Sequence, residues 1–118
     1  MTPKKSVVVV DDEPGFCETV KEILEEEGFE VDVASDGRAA LGLLRARATS
    51  PCIVILDLAM PVMDGNAVYQ EMQRDPALST IPVVIATSDP SRAPKGAEVM
   101  AKPLSIARLL QTVRGRCS

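Results

Sequence analysis

Residues 53–65, IVILDLAMPVMDG, join a run of four aliphatic residues to an aspartate and then to a turn. The run at 53–56 has the composition of a β-strand that is buried on both faces. A carboxylate placed directly after such a strand, here Asp57, would cost several kcal/mol if it were buried without a partner. The placement therefore suggests a chemical role for the end of this strand.

Strand-like and helix-like segments alternate along the whole chain. Apolar or alternating runs predict strands at 6–12, 29–34, 52–57, 81–88 and 98–102. Helical spacing of apolar residues predicts helices at 13–28, 36–48, 64–75 and 104–115. Strands that alternate with helices form βαβ units, so we predict an α/β fold whose parallel sheet has helices on both faces. Five strands suit a doubly wound, flavodoxin-like arrangement.

Length and composition indicate an ordinary globular chain. The 118 residues, 46% hydrophobic and 25% charged, fit one domain over 1–118, without internal repeats or a linker. A net charge of −4 without a basic stripe argues against direct nucleic-acid binding. The sequence contains neither an apolar stretch of membrane-spanning length nor a signal peptide. We therefore expect a cytoplasmic protein without a membrane contact.

The cysteines are odd in number and far apart, at Cys17, Cys52 and Cys117, and the chain has no histidine. This pattern disfavours a disulfide framework, a Cys/His zinc site and a Cys–His nucleophile pair. We expect Cys17 and Cys52 to be small buried apolar residues.

Polar residues follow four of the predicted strands. Asp11 and Asp12 end the first strand, Asp57 the third, Thr87 the fourth and Lys102 the fifth. Because the carboxyl ends of parallel strands meet at one edge of a sheet, where ligands bind, we expect these side chains to converge. Taken singly, each has an ordinary explanation as a helix cap, a turn residue or a solvated charge. Their joint position favours a reaction site.

Four motifs in order, VVVVDDE (7–13), ILDLAMPVMDG (55–65), VVIATS (83–88) and AKP (101–103), carry a resemblance to a known family. Over its whole length the chain resembles the receiver domain of two-component response regulators. The resemblance implies the strand order 2-1-3-4-5, with Asp57 as the phosphoacceptor. It also implies a sensor histidine kinase or phosphotransfer protein as donor, and a downstream protein target.

The resemblance further implies Mg²⁺ as the cofactor, held by Asp11, Asp12 and Asp57. Oxygen ligands suit this hard ion, which commonly uses one or two carboxylates together with water and phosphate oxygens. We expect direct ligation by Asp12 and Asp57, water-mediated contact from Asp11, and a third protein ligand in the backbone carbonyl of Ala59.

Two further residues are implied to act on the phosphoryl group. Thr87 would contact it through its hydroxyl, and Lys102 would pair with it through its ammonium. Pro103 favours a cis bond after Lys102 that would aim the lysine.

Two features depart from the family pattern. The aromatic residue that usually stands three positions before the lysine is Val99. Pro90 and Pro94 interrupt the segment that usually forms the fourth helix, so we predict a loop or at most one helical turn at 89–97. The sheet flank beside the fifth strand would then be poorly covered, which favours a weak homodimer. Phosphorylation would be read through the loops near Ala59 and Thr87 or through the first helix.

Two other functions remain open. A receiver-fold adaptor would bind partners largely without phosphorylation. A phosphatase of the haloacid dehalogenase type also uses an aspartate nucleophile and magnesium, but typically has a second acid two residues later, where this chain has Ala59.

Overall fold

A five-stranded parallel sheet forms the centre of the fold. The computed structural model describes residues 4–117. The strands are β1 (Ser6–Val10), β2 (Glu30–Ala34), β3 (Ile53–Leu56), β4 (Val83–Thr87) and β5 (Glu98–Ala101). Their order is β2-β1-β3-β4-β5, and every neighbouring pair is parallel. The predicted doubly wound, flavodoxin-like arrangement is confirmed.

Four α-helices connect or follow these strands. They are α1 (Pro14–Glu26), α2 (Gly37–Ala46), α3 (Gly65–Arg74) and α4 (Ile106–Cys117). The Asp64 carboxylate caps the start of α3, since it accepts a hydrogen bond from Ala67 N at 2.9 Å. All four predicted helices are confirmed, with ends that differ by one or two residues.

The neighbouring strands β1 and β3 are buried on both faces. Val7 and Val9 point into the core beneath α1 and α4, whereas Val8 and Val10 point into the core beneath α2 and α3. This two-sided burial explains why both strands are unbroken aliphatic runs. Val10 pairs with Leu56 at the last register position, so the residues that follow the two strands lie side by side.

The connection between β4 and β5 contains a single 3-10 turn at Pro90–Arg92 and no α-helix, as predicted for 89–97. Proline lacks a backbone donor, and Pro94 follows the turn closely enough to prevent a longer helix. Ala93 and Ala97 of this connection pack with Val99 against the core beneath α2 and α3. The flank of β5 is therefore partly covered, although Ala101 remains exposed.

One expectation about the cysteines was wrong. Cys52 and Cys117 form a disulfide, with their Cα atoms 5.2 Å apart, whereas Cys17 is a buried free thiol as expected. Cys52 stands just before β3, and Cys117 is the last residue of α4, which packs across that strand. The pairing arises from tertiary packing of residues separated by 65 positions, which cysteine number and spacing alone do not reveal.

Candidate functional site

Three carboxylates meet at the carboxyl edge of the sheet. Asp11 and Asp12 follow β1, and Asp57 follows β3. Each offers an oxygen, and these oxygens all lie within 4.8 Å of one another. Asp11 is 2% exposed and Asp57 is 6% exposed, whereas Asp12 faces solvent. The structure thus brings together the acids that the sequence placed at this edge.

Lys102 supplies the compensating charge that the buried carboxylates need. It follows β5, and its side chain is only 13% exposed. Its Nζ donates a hydrogen bond to Asp11 Oδ2 at 2.6 Å and lies 3.7 Å from Asp57 Oδ1. The ammonium therefore sits between the two buried acids, closer to Asp11.

Burial and charge shift the pKa of both Asp57 and Lys102. Burial raises the pKa of Asp57, and the nearby charge of Asp11 raises it further, while Lys102 opposes both effects. Burial by itself lowers the pKa of Lys102, but the hydrogen bond and charge of Asp11, with the charge of Asp57, outweigh burial and raise it. Lys102 therefore remains charged, whereas Asp57 is a carboxylate in a site that favours its protonated form.

Thr87 is the last residue of β4, the strand next to β3 in the sheet. The residue is 4% exposed, and its Oγ1 accepts a hydrogen bond from Asp89 N at 3.1 Å. This contact uses an oxygen lone pair, so the hydroxyl proton stays available for an incoming acceptor. Lys102 N donates to Thr87 O at 2.8 Å and fixes the two strand ends relative to each other. The Lys102–Pro103 bond is cis, as predicted.

The loop after Asp57 is held close to the strand end. A Cβ at Gly65 would lie 2.1 Å from Asp57 O, so only glycine allows this approach. Gly65 N also donates to Leu58 O at 2.9 Å. Ala59 is exposed and lines an open cleft of about 470 Å³ that Thr87 also lines.

The sequence does not predict a role for two residues that lie at the site. Glu13 Oε1 lies 3.6 Å from Lys102 Nζ, and the Phe16 ring centroid lies 4.2 Å from the same atom. Glu13 directly follows the Asp11–Asp12 pair, and this position could have indicated that it lies at the site. Phe16 resembled an ordinary core position of an amphipathic helix, and nothing in the sequence set it apart.

The sequence of residues 7–114 matches the response regulator receiver domain. The chain belongs to this family. Receiver domains are components of two-component systems and take phosphoryl groups from histidine kinases. This assignment favours a receiver function over the phosphatase alternative.

Curated relatives include a response regulator and a sensory transduction protein. The response regulator Rre1 of Synechocystis is 38% identical over 84 residues, which cover 70% of this chain and 36% of the relative. The sensory transduction protein RegX3 of Mycobacterium tuberculosis is 37% identical over 117 residues, covering 92% of this chain and 49% of the relative. The chain spans about half the length of these relatives or less.

Solved structures share the fold closely. The signal receiver domain of a histidine kinase from Syntrophus aciditrophicus has a TM-score of 0.86 and 34% identity, covering 96% of this chain and 89% of that one. The response regulator TrrA of Thermotoga maritima, solved with Mg²⁺-BeF, has a TM-score of 0.83 and 30% identity, covering 95% and 98% of the two chains. Among residues 4–117, no helix combines the length and apolar character needed to cross a bilayer.

Proposed function

We propose that this chain receives a phosphoryl group on Asp57 from a sensor histidine kinase or a phosphotransfer protein, and signals as one receiver domain over 1–118. The observation that carries the proposal is the position of Asp57. It is buried at the tip of β3, its carboxylate lies with those of Asp11 and Asp12, and the Lys102 ammonium is 3.7 Å away. A cytoplasmic location and a downstream protein partner belong to the same proposal.

The acidic cluster fits Mg²⁺, because its donors are all oxygens and because three adjacent carboxylates gain from a cation. We propose Asp12, Asp57 and the Ala59 carbonyl as direct ligands. Asp11 is less suited to direct contact, since one of its oxygens binds Lys102 and the other accepts from Glu13 N at 2.9 Å. The bound ion would neutralise negative charge on the transferring phosphoryl group.

The chain's own residues would perform the transfer as follows. A carboxylate oxygen of Asp57 attacks phosphorus, the bond from phosphorus to the donor's leaving group breaks, and an acyl phosphate forms. Lys102 moves from Asp11 towards the phosphoryl oxygens and offsets their charge. The Thr87 hydroxyl donates to the same group. Water later hydrolyses the acyl phosphate and resets the switch.

The conformational change caused by phosphorylation would be transmitted through contacts close to Asp57 rather than through β5. Thr87 contacts the loop at Asp89, and Lys102 contacts Glu13 at the start of α1. Val99, which is half-buried, stands where the family usually has an aromatic residue. It has no ring whose orientation could change on phosphorylation. We expect no direct contact with nucleic acid or with a membrane. We expect self-association beside β5 to be no stronger than that of a weak homodimer.

Incubation with acetyl phosphate and magnesium tests the assignment. Intact mass spectrometry should show one added phosphate that hydroxylamine removes, and a magnesium chelator should prevent its uptake. Asp57→Asn should abolish uptake, whereas Asp64→Asn, which changes an exposed helix cap that asparagine can also provide, should retain it. Equal labelling of Asp57→Asn and wild type would disprove the phosphoacceptor role. Complete absence of labelling in the wild type would favour the adaptor function.

A further inference from the structure

Lys102 has an aromatic neighbour as well as acidic ones. Its Nζ lies 4.2 Å from the centroid of the Phe16 ring, within the range of a cation–π contact. The chain has only two phenylalanines, one tyrosine and no tryptophan, so aromatic contacts with this lysine are not expected from composition. The ammonium is thus attracted by the ring as well as by the Asp11 carboxylate.

We propose that Phe16 is a positioning residue for Lys102 in the phosphoryl transfer. The inference rests on the proposed function of Asp57. The Lys102 ammonium has one short hydrogen bond, to Asp11, while Asp57 at 3.7 Å and Glu13 at 3.6 Å lie beyond hydrogen-bonding distance. A ring attracts the ammonium without taking a hydrogen bond from it. The ring therefore limits where the flexible lysine can go while leaving its N–H groups free for the phosphoryl oxygens.

The surroundings of Phe16 separate this role from simple packing. Phe16 and Lys102 both line an open groove of about 580 Å³ between α1 and α4. The Lys102 side chain is only 13% exposed, and the Phe16 ring lies against its Nζ at 4.2 Å. An aliphatic residue would fill similar space, but it lacks the negative ring face that attracts a cation. Replacing the ring with an aliphatic side chain should therefore impair the reaction more than the fold.

Phosphorylation kinetics with acetyl phosphate and magnesium test the inference. A small donor is used so that the measured rate does not depend on the docking of a protein donor. Phe16→Leu should lower the maximal rate of phosphorylation about three- to tenfold, with a smaller change in the donor concentration at half-maximal rate. Phe16→Tyr, which keeps the aromatic face, should restore a rate within about twofold of wild type.

Phe29→Leu is the matched control. Phe29 is also partly buried and packs against the same core cluster as Phe16, so the substitution removes the same atoms from a comparable setting. It should lower thermal stability to a similar degree but leave the phosphorylation rate near that of wild type. Phe16→Met replaces Phe16→Leu if the latter does not fold. The Lys102 Hε protons should show an upfield ring-current shift that Phe16→Leu removes and Phe16→Tyr keeps.

The outcomes distinguish this inference from the function on which it rests. No phosphorylation of the wild type would overturn the role of Asp57 and the positioning role together. Normal phosphorylation of both the wild type and Phe16→Leu would overturn the positioning role alone. Equal rate losses in Phe16→Leu and Phe29→Leu would also overturn it, since they would assign the effect to packing.

Discussion

At the scale of single residues, Asp57 couples protonation to stability. Burial and the charge of Asp11 raise its pKa above the ordinary value of 3.8, so the folded chain holds this proton more tightly than the unfolded chain does. The resulting stability is fully present below the unfolded pKa and is lost as the pH rises through the folded pKa. At neutral pH, without a cation, the ionised carboxylate therefore destabilises the fold.

Asp57→Asn should consequently stabilise the chain at neutral pH in the presence of a magnesium chelator. The gain should shrink as the pH falls, because wild-type Asp57 then becomes protonated too. Urea unfolding of both proteins, from neutral pH down towards the ordinary pKa of 3.8, measures the difference in the free energy of unfolding. Asp64→Asn makes the same chemical change at an exposed helix cap and serves as the control. Lower stability of Asp57→Asn across the whole range would mean that the attraction of Lys102 outweighs the cost of burial.

Val62 carries backbone strain in the loop after β3. Its φ is +68°, a left-handed conformation that β-branched residues rarely adopt, and its side chain gains little from packing because the residue is 75% exposed. Val62→Asn should therefore raise the free energy of unfolding by about 1 kcal/mol, measured by urea unfolding. The same substitution at Val33, an exposed residue of β2, should lower stability instead. A lower free energy of unfolding for Val62→Asn than for the wild type would contradict the strained conformation of Val62.

At the scale of secondary-structure elements, the disulfide ties the end of α4 to the start of β3. It joins residues 65 positions apart, so it should stabilise the fold mainly by restricting the unfolded chain. Reduction, or Cys52→Ser, should lower the free energy of unfolding by about 2–4 kcal/mol, measured by urea unfolding with and without a phosphine reductant. Cys17→Ser should respond to the reductant as the wild type does.

Thiol titration of the unfolded chain provides an independent check. Cys17 is the free cysteine, so the oxidised protein should show one reactive thiol per chain and the reduced protein three. Three thiols in protein that has never been reduced would disprove the pairing.

The sequence predicted those features that depend on local pattern or on sheet topology. The aliphatic runs located β1 and β3, and Pro90 with Pro94 predicted the missing helix. Convergence of the acids followed from the geometry of parallel strands. The disulfide and the Phe16–Lys102 contact depend instead on how α1 and α4 pack on the sheet, which periodicity does not specify.

At the scale of the whole molecule, the proposed phosphorylation site has more contacts with some of the surrounding elements than with others. Lys102 contacts Glu13 and Phe16 of the α1 region, and Thr87 contacts Asp89 in the connection after β4. A movement of Lys102 or Thr87 towards a phosphoryl group would break or strain these contacts directly. The start of α1 and the connection after β4 should therefore respond first.

The far part of the molecule is restrained by contacts that do not involve the site. The disulfide fixes the end of α4 to the start of β3, and Arg116 of α4 pairs with Glu98 of β5 at 2.7 Å. The connection before β5 holds only one 3-10 turn, so no regular helix carries a displacement from the site to this flank. β5 and α4 should therefore change little on phosphorylation.

Amide NMR with beryllofluoride and magnesium, which mimic the phosphorylated state, tests this distribution of change. The largest shifts should lie in residues 13–20, 57–66 and 87–92, and shifts in β5 and in the second half of α4 should be small. A phosphine reductant should extend the shifts into α4, because it removes the bond between Cys52 and Cys117. Asp57→Asn, which lacks the proposed acceptor carboxylate, should show none of these shifts. If the largest shifts instead fall in β5 and α4 of the oxidised wild type, the phosphorylation signal is transmitted through these two elements and not through the start of α1 and the connection after β4.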